Sequence, residues 1–155
     1  MNGYVNGSDL LMKVSNGAIG HCTTHSAAYN TETAETAVKP AASILASAAG
    51  LFKGKRIKGL SVQVKASGLK FYSEAESGFK VLLGKWALGQ TVPVALFERE
   101  HDQTPYLTGN FVISNLEETN PAGEDGTYDV TLDNDGAVTI DDAKLDLLYT
   151  APASN

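Results

Sequence analysis

The stretch Gly59-Leu60-Ser61-Val62-Gln63-Val64-Lys65-Ala66-Ser67-Gly68-Leu69-Lys70-Phe71 decides how the chain reads. Leu60, Val62, Val64 and Ala66 alternate with Ser61, Gln63, Lys65 and Ser67. A period of two places the first set on one face of a strand and the second on the other. One apolar and one polar face is the pattern of an antiparallel sheet with a wet side. At Ser67-Gly68 the alternation shifts, so Leu69 and Phe71 take over the apolar face. A glycine at such a shift predicts a β-bulge that bends the sheet.

Outward from this strand, the same signals recur. Ser8 to Val14 closes on Ser15-Asn16-Gly17, where Asn-Gly favours the positive φ angles of a tight hairpin, and Ala18 to Tyr29 reads as a second strand or strand pair. Thr91–Glu100, Tyr106–Leu116 and Thr127–Ile140 are further strands, with Asn134-Asp135-Gly136 supplying a turn inside the last. Pro93 has no amide to donate, which predicts an edge strand or a bulge there. One helix is expected over about residues 73–88. Ser73-Glu74-Ala75-Glu76 forms a capping box, and Phe79, Leu82, Leu83 and Trp86 fall at i, i+3, i+4 and i+7, a stripe that packs on the sheet. Gly89 sits where a left-handed stop belongs. The fold class is mainly β: an antiparallel β-sandwich or barrel with one flanking α-helix.

Residues 30–59 break the pattern. Asn30 to Lys39 is polar, Pro40 interrupts it, Ala41 to Ala49 is small, and Lys53-Gly54-Lys55-Arg56 is basic. A long extended loop of this size is commonly functional. Its candidate contact residues are Lys39, Pro40, Lys53, Lys55, Arg56 and Lys58.

At 155 residues, with 43% hydrophobic and 19% charged side chains, the chain is long enough to bury one core and too apolar to be a disordered tail. Residues 1–155 are expected to form a single domain, with flexible termini at 1–7 and 141–155. No apolar run is long enough to span a bilayer as a helix, so no membrane anchoring is expected. The first residues lack a signal-peptide pattern, and the lone Cys22 agrees with assembly in a reducing cytoplasm. Charge is uneven. Residues 1–72 hold eight Lys and Arg against three carboxylates, a net of +5, whereas residues 73–155 hold four against fifteen, a net of −11. The total of −6 argues against a general grip on nucleic-acid phosphates, and the split suits copies that meet head to tail.

Catalytic signals are weak. His21, Cys22 and His25 are the nearest thing to a metal cluster, but on an extended strand Cys22 faces away from the two histidines and no second ligand pair follows. The expectation is no metal, no cofactor and a structural or interfacial role. Glu98, Glu100, Asp102, Glu117 and Glu118 are placed at strand ends, where an acidic rim is the simpler reading than a glycosidase pair. Phosphate-binding loops, dinucleotide fingerprints and nucleophile elbows are absent from the sequence. The expectation is a non-enzyme.

Gly7-Ser8-Asp9-Leu10-Leu11, Ala18-Ile19-Gly20-His21-Cys22-Thr23-Thr24-His25, Tyr29-Asn30-Thr31-Glu32-Thr33 and Val38-Lys39-Pro40 together resemble the opening of the major tail tube protein of long, non-contractile phage tails. Gly59-Leu60-Ser61-Val62, Phe71-Tyr72, the helix before Trp86, Phe97-Glu98-Arg99-Glu100, Phe111-Val112-Ile113 to Thr119, and Tyr128-Asp129-Val130 are similar to its continuation. The resemblance implies a structural virion protein. Six copies close a ring, rings stack into a tube in the virion tail, and DNA passes through without specific binding. It also implies tape measure, tail terminator and tail tip proteins as partners. On this reading residues 30–59 form an assembly arm, and Glu98, Glu100, Asp102, Glu117 and Glu118 are candidates for the acidic lumen. The alternatives are the inner tube of a contractile tail or injection system and, in a different class, a monomeric β-sandwich that binds glycans or proteins.

Overall fold

The structure is a computed structural model that describes residues 4–15, 17–37, 53–71, 76–99 and 104–141. Among the described residues nine strands form: β1 (Leu10–Val14), β2 (Gly17–Ile19), β3 (Cys22–Ala37), β4 (Lys53–Leu69), β5 (Glu76–Ser77), β6 (Thr91–Glu98), β7 (Leu107–Thr119), β8 (Thr127–Asn134) and β9 (Thr139–Ile140). A 3-10 turn at Gly7–Asp9 precedes them, and one α-helix, α1 (Phe79–Ala87), lies between β5 and β6. The strands run in the order β3-β4-β8-β7-β6-β1-β2-β5, with β9 beside β7, and every pairing but β2 with β5 is antiparallel.

Inward-facing side chains from both halves of this sheet meet in one core. Val62, Val64 and Ala66 of β4, Tyr128, Val130 and Leu132 of β8, Phe111 and Ile113 of β7, Val92, Val94 and Leu96 of β6, and Met12 and Val14 of β1 are buried together. The expected β-sandwich with a flanking helix is what forms.

Several local readings change. β4 keeps its phase through Gly68, which is buried, while Leu69 and Phe71 stay on the outer face. The extra residue lies across the ladder: Cys22 pairs with Gly68 and Thr24 with Ser67, leaving Thr23 as the bulge on β3. Gly68 is needed for close approach, because a Cβ there would lie 2.7 Å from the His21 carbonyl and 2.8 Å from the Tyr128 hydroxyl. That hydroxyl donates to the Gly20 carbonyl, closing the end of the core.

Pro93 lies inside the sheet, between β7 and β1. It escapes conflict because β1 pairing begins at Val94, and the Pro93 carbonyl accepts from the Ser15 amide at 2.9 Å. Asn134-Asp135-Gly136 makes no hairpin. Gly136, at φ +83, offsets the chain so that β9 continues beside the same strand, β7, that β8 pairs with. The β1–β2 hairpin forms as expected, although Ser15, at φ 54, takes a left-handed central position.

Ser73 to Ala75 of the expected capping box lie outside the described residues, and the helix starts later than Glu76 would place it. Glu76 pairs with Ala18 in β5, and the helix starts after Gly78. Only half of its apolar stripe packs: Phe79 and Leu82 are buried, whereas Leu83 is 42% and Trp86 54% exposed. Nine residues give two and a half turns, and the helix meets β7 and β5 along only one side of its stripe. Leu82→Ala should therefore cost about 2–5 kcal/mol in denaturant unfolding, as buried leucines do. Trp86→Ala should stay within about 0.5 kcal/mol of the wild type.

Candidate assembly surfaces

Of the extended loop expected at residues 30–59, residues 30–37 and 53–59 are strand, paired with each other as the outer parts of β3 and β4, and residues 38–52 lie outside the described residues. β3 and β4 pair from Cys22 and Gly68 out to Ala37 and Lys53, with a second irregularity where Lys58 is the extra residue between Gly59 and Ile57. β8 pairs β4 only as far as Gln63. The ten residues from Val62 to Lys53 thus carry the hairpin roughly 30 Å past the last pairing with β8, at about 3.3 Å per residue. Lys39 and Pro40 lie outside the described residues. Lys53 is in the strand, Lys55 and Arg56 are exposed, and Lys58 pairs with Glu32 at 3.5 Å.

Each face of the projection follows from the ladder, since cross-strand partners share a face. Tyr29 with Val62, Thr31 with Leu60 and Thr33 with Ile57 continue the core-side face beyond the core. Leu60 is 74% and Ile57 65% exposed. Near the root, Tyr106 sits close enough to Tyr29 that burial and that neighbour both raise the Tyr106 hydroxyl above its ordinary range.

The opposite face of β4, β8 and β7 is polar. Ser67, Asp129 and Glu117 lie in one cross-strand row, with the Ser67 hydroxyl donating to Asp129. Gln63 and Asp133 lie in another, joined at 3.1 Å. Asp129 and Asp133 were legible in the alternation with Tyr128, Val130 and Leu132 but carry no motif that singles them out. The five acidic candidates therefore separate. Glu117 is on the polar face. Glu118 lies on the core-side face, where Lys70 pairs with it and holds its carboxyl below the usual range. Glu98 is half-buried at the other end of the sheet, opposite Leu10. Glu100 and Asp102 fall outside the described residues.

At the end away from the hairpin, the Lys70 amide donates to the Gly126 carbonyl at 2.8 Å, bringing Leu69 and Phe71 beside the Asn120–Gly126 loop. Phe71 stacks near His21, ring centroids 4.2 Å apart. Lys70 reaches Asn120 at 2.9 Å and lies 4.5 Å from the centre of the Phe79 ring.

Among the open strand edges of the described residues are those of β3 and of the start of β1. β3 pairs with β4 alone, and β1 pairs with β2 only at Lys13 and Val14. Between Leu10–Met12 and Cys22–His25 runs a groove of about 710 Å³, bounded also by Phe97 and Arg99. The Cys22 thiol donates to the Thr24 carbonyl at 3.2 Å, and burial raises it above the ordinary thiol range, which disfavours the thiolate. Burial also lowers His25, disfavouring its charged form. Among the described residues, no three His, Cys, Asp or Glu side chains are grouped to hold a metal ion. Purified protein should hold far less than one equivalent of zinc by elemental analysis. One equivalent surviving dialysis would assign these residues to a metal.

No protein-family model and no curated protein matches the chain in sequence. Solved structures do match in fold. A chain in the virion of a native gene transfer agent particle is 15% identical, with a TM-score of 0.68 over 88% of this chain and 98% of its own. A chain in the tail of an empty gene transfer agent particle, refined with C6 helical symmetry, gives 0.67 with the same identity and coverage. The SPP1 tail tube, from solid-state NMR and cryo-EM, is 10% identical, with a TM-score of 0.57 over 96% of this chain and 87% of its own. The chain has a tail tube fold. In that fold the hairpin and the open edges of β3 and β1 stand out among the surfaces unfinished in one copy, as no described element covers them.

Proposed function

We propose that this protein is the structural subunit of a phage-type tail tube, in which six copies close a ring and rings stack into a conduit for DNA. The observation that carries the reading is the open edge of β3. A sixteen-residue strand with one edge left unpaired among the described residues is an aggregation hazard unless something pairs with that edge, and barrel closure between copies removes such edges. The likeness in fold to a tail refined with sixfold symmetry supports six as the copy number. Heterologous contacts of this kind close into rings when the rotation allows.

The polar face bearing Glu117, Asp129 and Asp133 then turns to the bore, where carboxylates repel the DNA backbone and let it slide. Terminator, tape measure and tip proteins are the partners such a tube meets, in the virion tail after assembly in the host cytoplasm. The role is structural rather than enzymatic. Tyr4, Tyr29, Phe71 and Trp86, the exposed aromatics among the described residues, are spread over separate segments rather than grouped on one element as a glycan-binding platform would need. Negative-stain microscopy of concentrated protein, alone and with tail-tip nuclei, should reveal rings or tubes about six subunits around. A protein that stays monomeric in both conditions would overturn the reading.

A further inference from the structure

We propose that Lys70 and Asn120 join in an intramolecular isopeptide bond, formed without a partner enzyme, with Glu118 carrying the proton from the amine to the leaving group. The bond staples one subunit internally and does not depend on the tail tube reading.

Strand register brings the three residues together. Leu69, Thr127 and Thr119 form one row across β4, β8 and β7, and Lys70 and Asn120 each stand one residue beyond it. Their backbones are thus two strand spacings apart, about 10 Å, which a lysine stem crosses. Gly126 leaves that lane open: a Cβ there would lie 2.8 Å from Asn120 Oδ1 and 2.9 Å from Lys70 Cδ. At the end of the lane Lys70 Nζ donates to Asn120 Oδ1 at 2.9 Å and to Glu118 Oε2. Asn120 Nδ2 donates to the same Glu118 oxygen at 3.4 Å. One C=O bond of about 1.2 Å separates Oδ1 from Cγ, so the amine nitrogen lies within roughly 4 Å of the amide carbon. The Lys70 side chain is only 15% exposed, with the centre of the Phe79 ring 4.5 Å from Nζ, whereas Glu118 is 49% exposed. The nucleophile is sheltered, and the leaving group has a way out.

The chemistry balances within these three side chains. Glu118, held ionised by its contact with Lys70 and Asn120, takes one proton from the Lys70 ammonium. The freed lone pair on Nζ attacks Asn120 Cγ, forming the Nζ–Cγ bond and moving the carbonyl electrons onto Oδ1. Glu118 then passes its proton to Nδ2, the atom it already touches. As the C=O bond re-forms, the Cγ–Nδ2 bond breaks, and ammonia departs with the surplus Nζ proton as ammonium. Glu118 ends ionised as it began, nothing is oxidised or reduced, and the chain loses one positive charge. A desolvated lysine is a competent nucleophile, and holding it against the amide replaces a slow encounter by a positioned one. The product ties β4 to β7 across β8, restricting the unfolded chain as a disulfide does, without an oxidant or a second cysteine.

Mass spectrometry of the purified full-length chain provides the test. The intact parent should be lighter than its sequence by one ammonia, and protease digestion should release a single branched peptide holding both Lys70 and Asn120. Digestion matters because an Asn-Gly pair such as Asn6-Gly7 also loses ammonia when it closes to a succinimide. Lys70→Arg keeps the charge but removes the reactive amine, and Asn120→Ala removes the acceptor carbon. Both should hold the full mass while folding like the parent by circular dichroism. Should Lys70→Arg fail to fold, Asn120→Ala carries the same test from an exposed position. Glu118→Gln retains both partners and should cut the cross-linked fraction at least about tenfold, a conservative figure for losing a positioned proton carrier. A parent at full mass after prolonged incubation, with Lys70 and Asn120 in separate peptides, would overturn the proposal. Ammonia lost only at an Asn-Gly pair, or a parent-like yield of the bond in Glu118→Gln, would overturn it equally.

Discussion

Reversing Lys53, Lys55 and Arg56 to Glu is expected to cut tube yield by at least about tenfold while the subunit stays folded, the size of effect that like-charge contact produces at an interface. The three residues belong to a hairpin that runs past β8. Lys55 and Arg56 are exposed, so neither supports the core. The internal cost is small but identifiable. Lys55 stands opposite Glu35, and Lys55→Glu sets two carboxylates against each other across the strands, worth roughly 0.2–1 kcal/mol. A melting curve that falls only by that margin, beside a collapse in tube yield, separates assembly from folding. Salt provides a second axis: screening should weaken wild-type assembly and relieve the repulsion in the variant. Normal tubes from the triple variant would show that this basic stretch contacts no acidic neighbour, and the uneven charge of the chain would then be a matter of solvation.

Gly68→Val should destabilise the fold by about 1–3 kcal/mol or more, as overpacked cores do. A Cβ at Gly68 would lie 2.7 Å from the His21 carbonyl, 2.8 Å from the Tyr128 hydroxyl and 3.0 Å from the Gly20 carbonyl. Two of those atoms are backbone, and the third belongs to a buried ring held by its own hydrogen bond. None can swing aside as a flexible side chain would. Tyr128→Phe tests the same corner from the other side, removing the donor to Gly20 and leaving a carbonyl with one partner fewer, for about 1–3 kcal/mol. The control is Gly84→Ala in the middle of the helix. Nothing lies within 4 Å of its Cβ position, and the exchange should stabilise by roughly 0.5–1 kcal/mol through helix propensity. Equal melting temperatures for Gly68→Val and Gly84→Ala would refute the close-approach account.

How much of this was legible in the chain alone varies by feature. Strand alternation is local, so Val62, Val64, Ala66, Tyr128, Val130 and Leu132 declare their core side without any knowledge of what covers them. The β1–β2 hairpin is equally local, since two residues decide it. The polar row of Asp129 and Asp133 follows from the same period of two. The role of Gly68 was not legible: a bulge and a close backbone approach leave the same glycine in a sequence, and only the position of the Tyr128 hydroxyl distinguishes them.

The helix stripe shows the limit most plainly. Periodicity states which side chains share a face, and Phe79, Leu82, Leu83 and Trp86 do. Whether that face is covered depends on how far the sheet extends beneath it, and here Leu83 and Trp86 remain exposed. The same holds for residues 30–37 and 53–59. Their polar, glycine-punctuated composition lacks a core pattern, in keeping with no described element lying over them, and it reads as a loop. Strand pairing there comes from long-range contacts between β3 and β4, whose registry the sequence does not advertise. What the sequence by itself determined was the fold class, the core-facing sets and the uneven charge, because each depends on residue type and near neighbours. Tertiary structure alone decided which apolar residues stay uncovered, that the basic stretch projects as a hairpin, and that acidic and basic surfaces lie at opposite ends, because each depends on where distant segments meet.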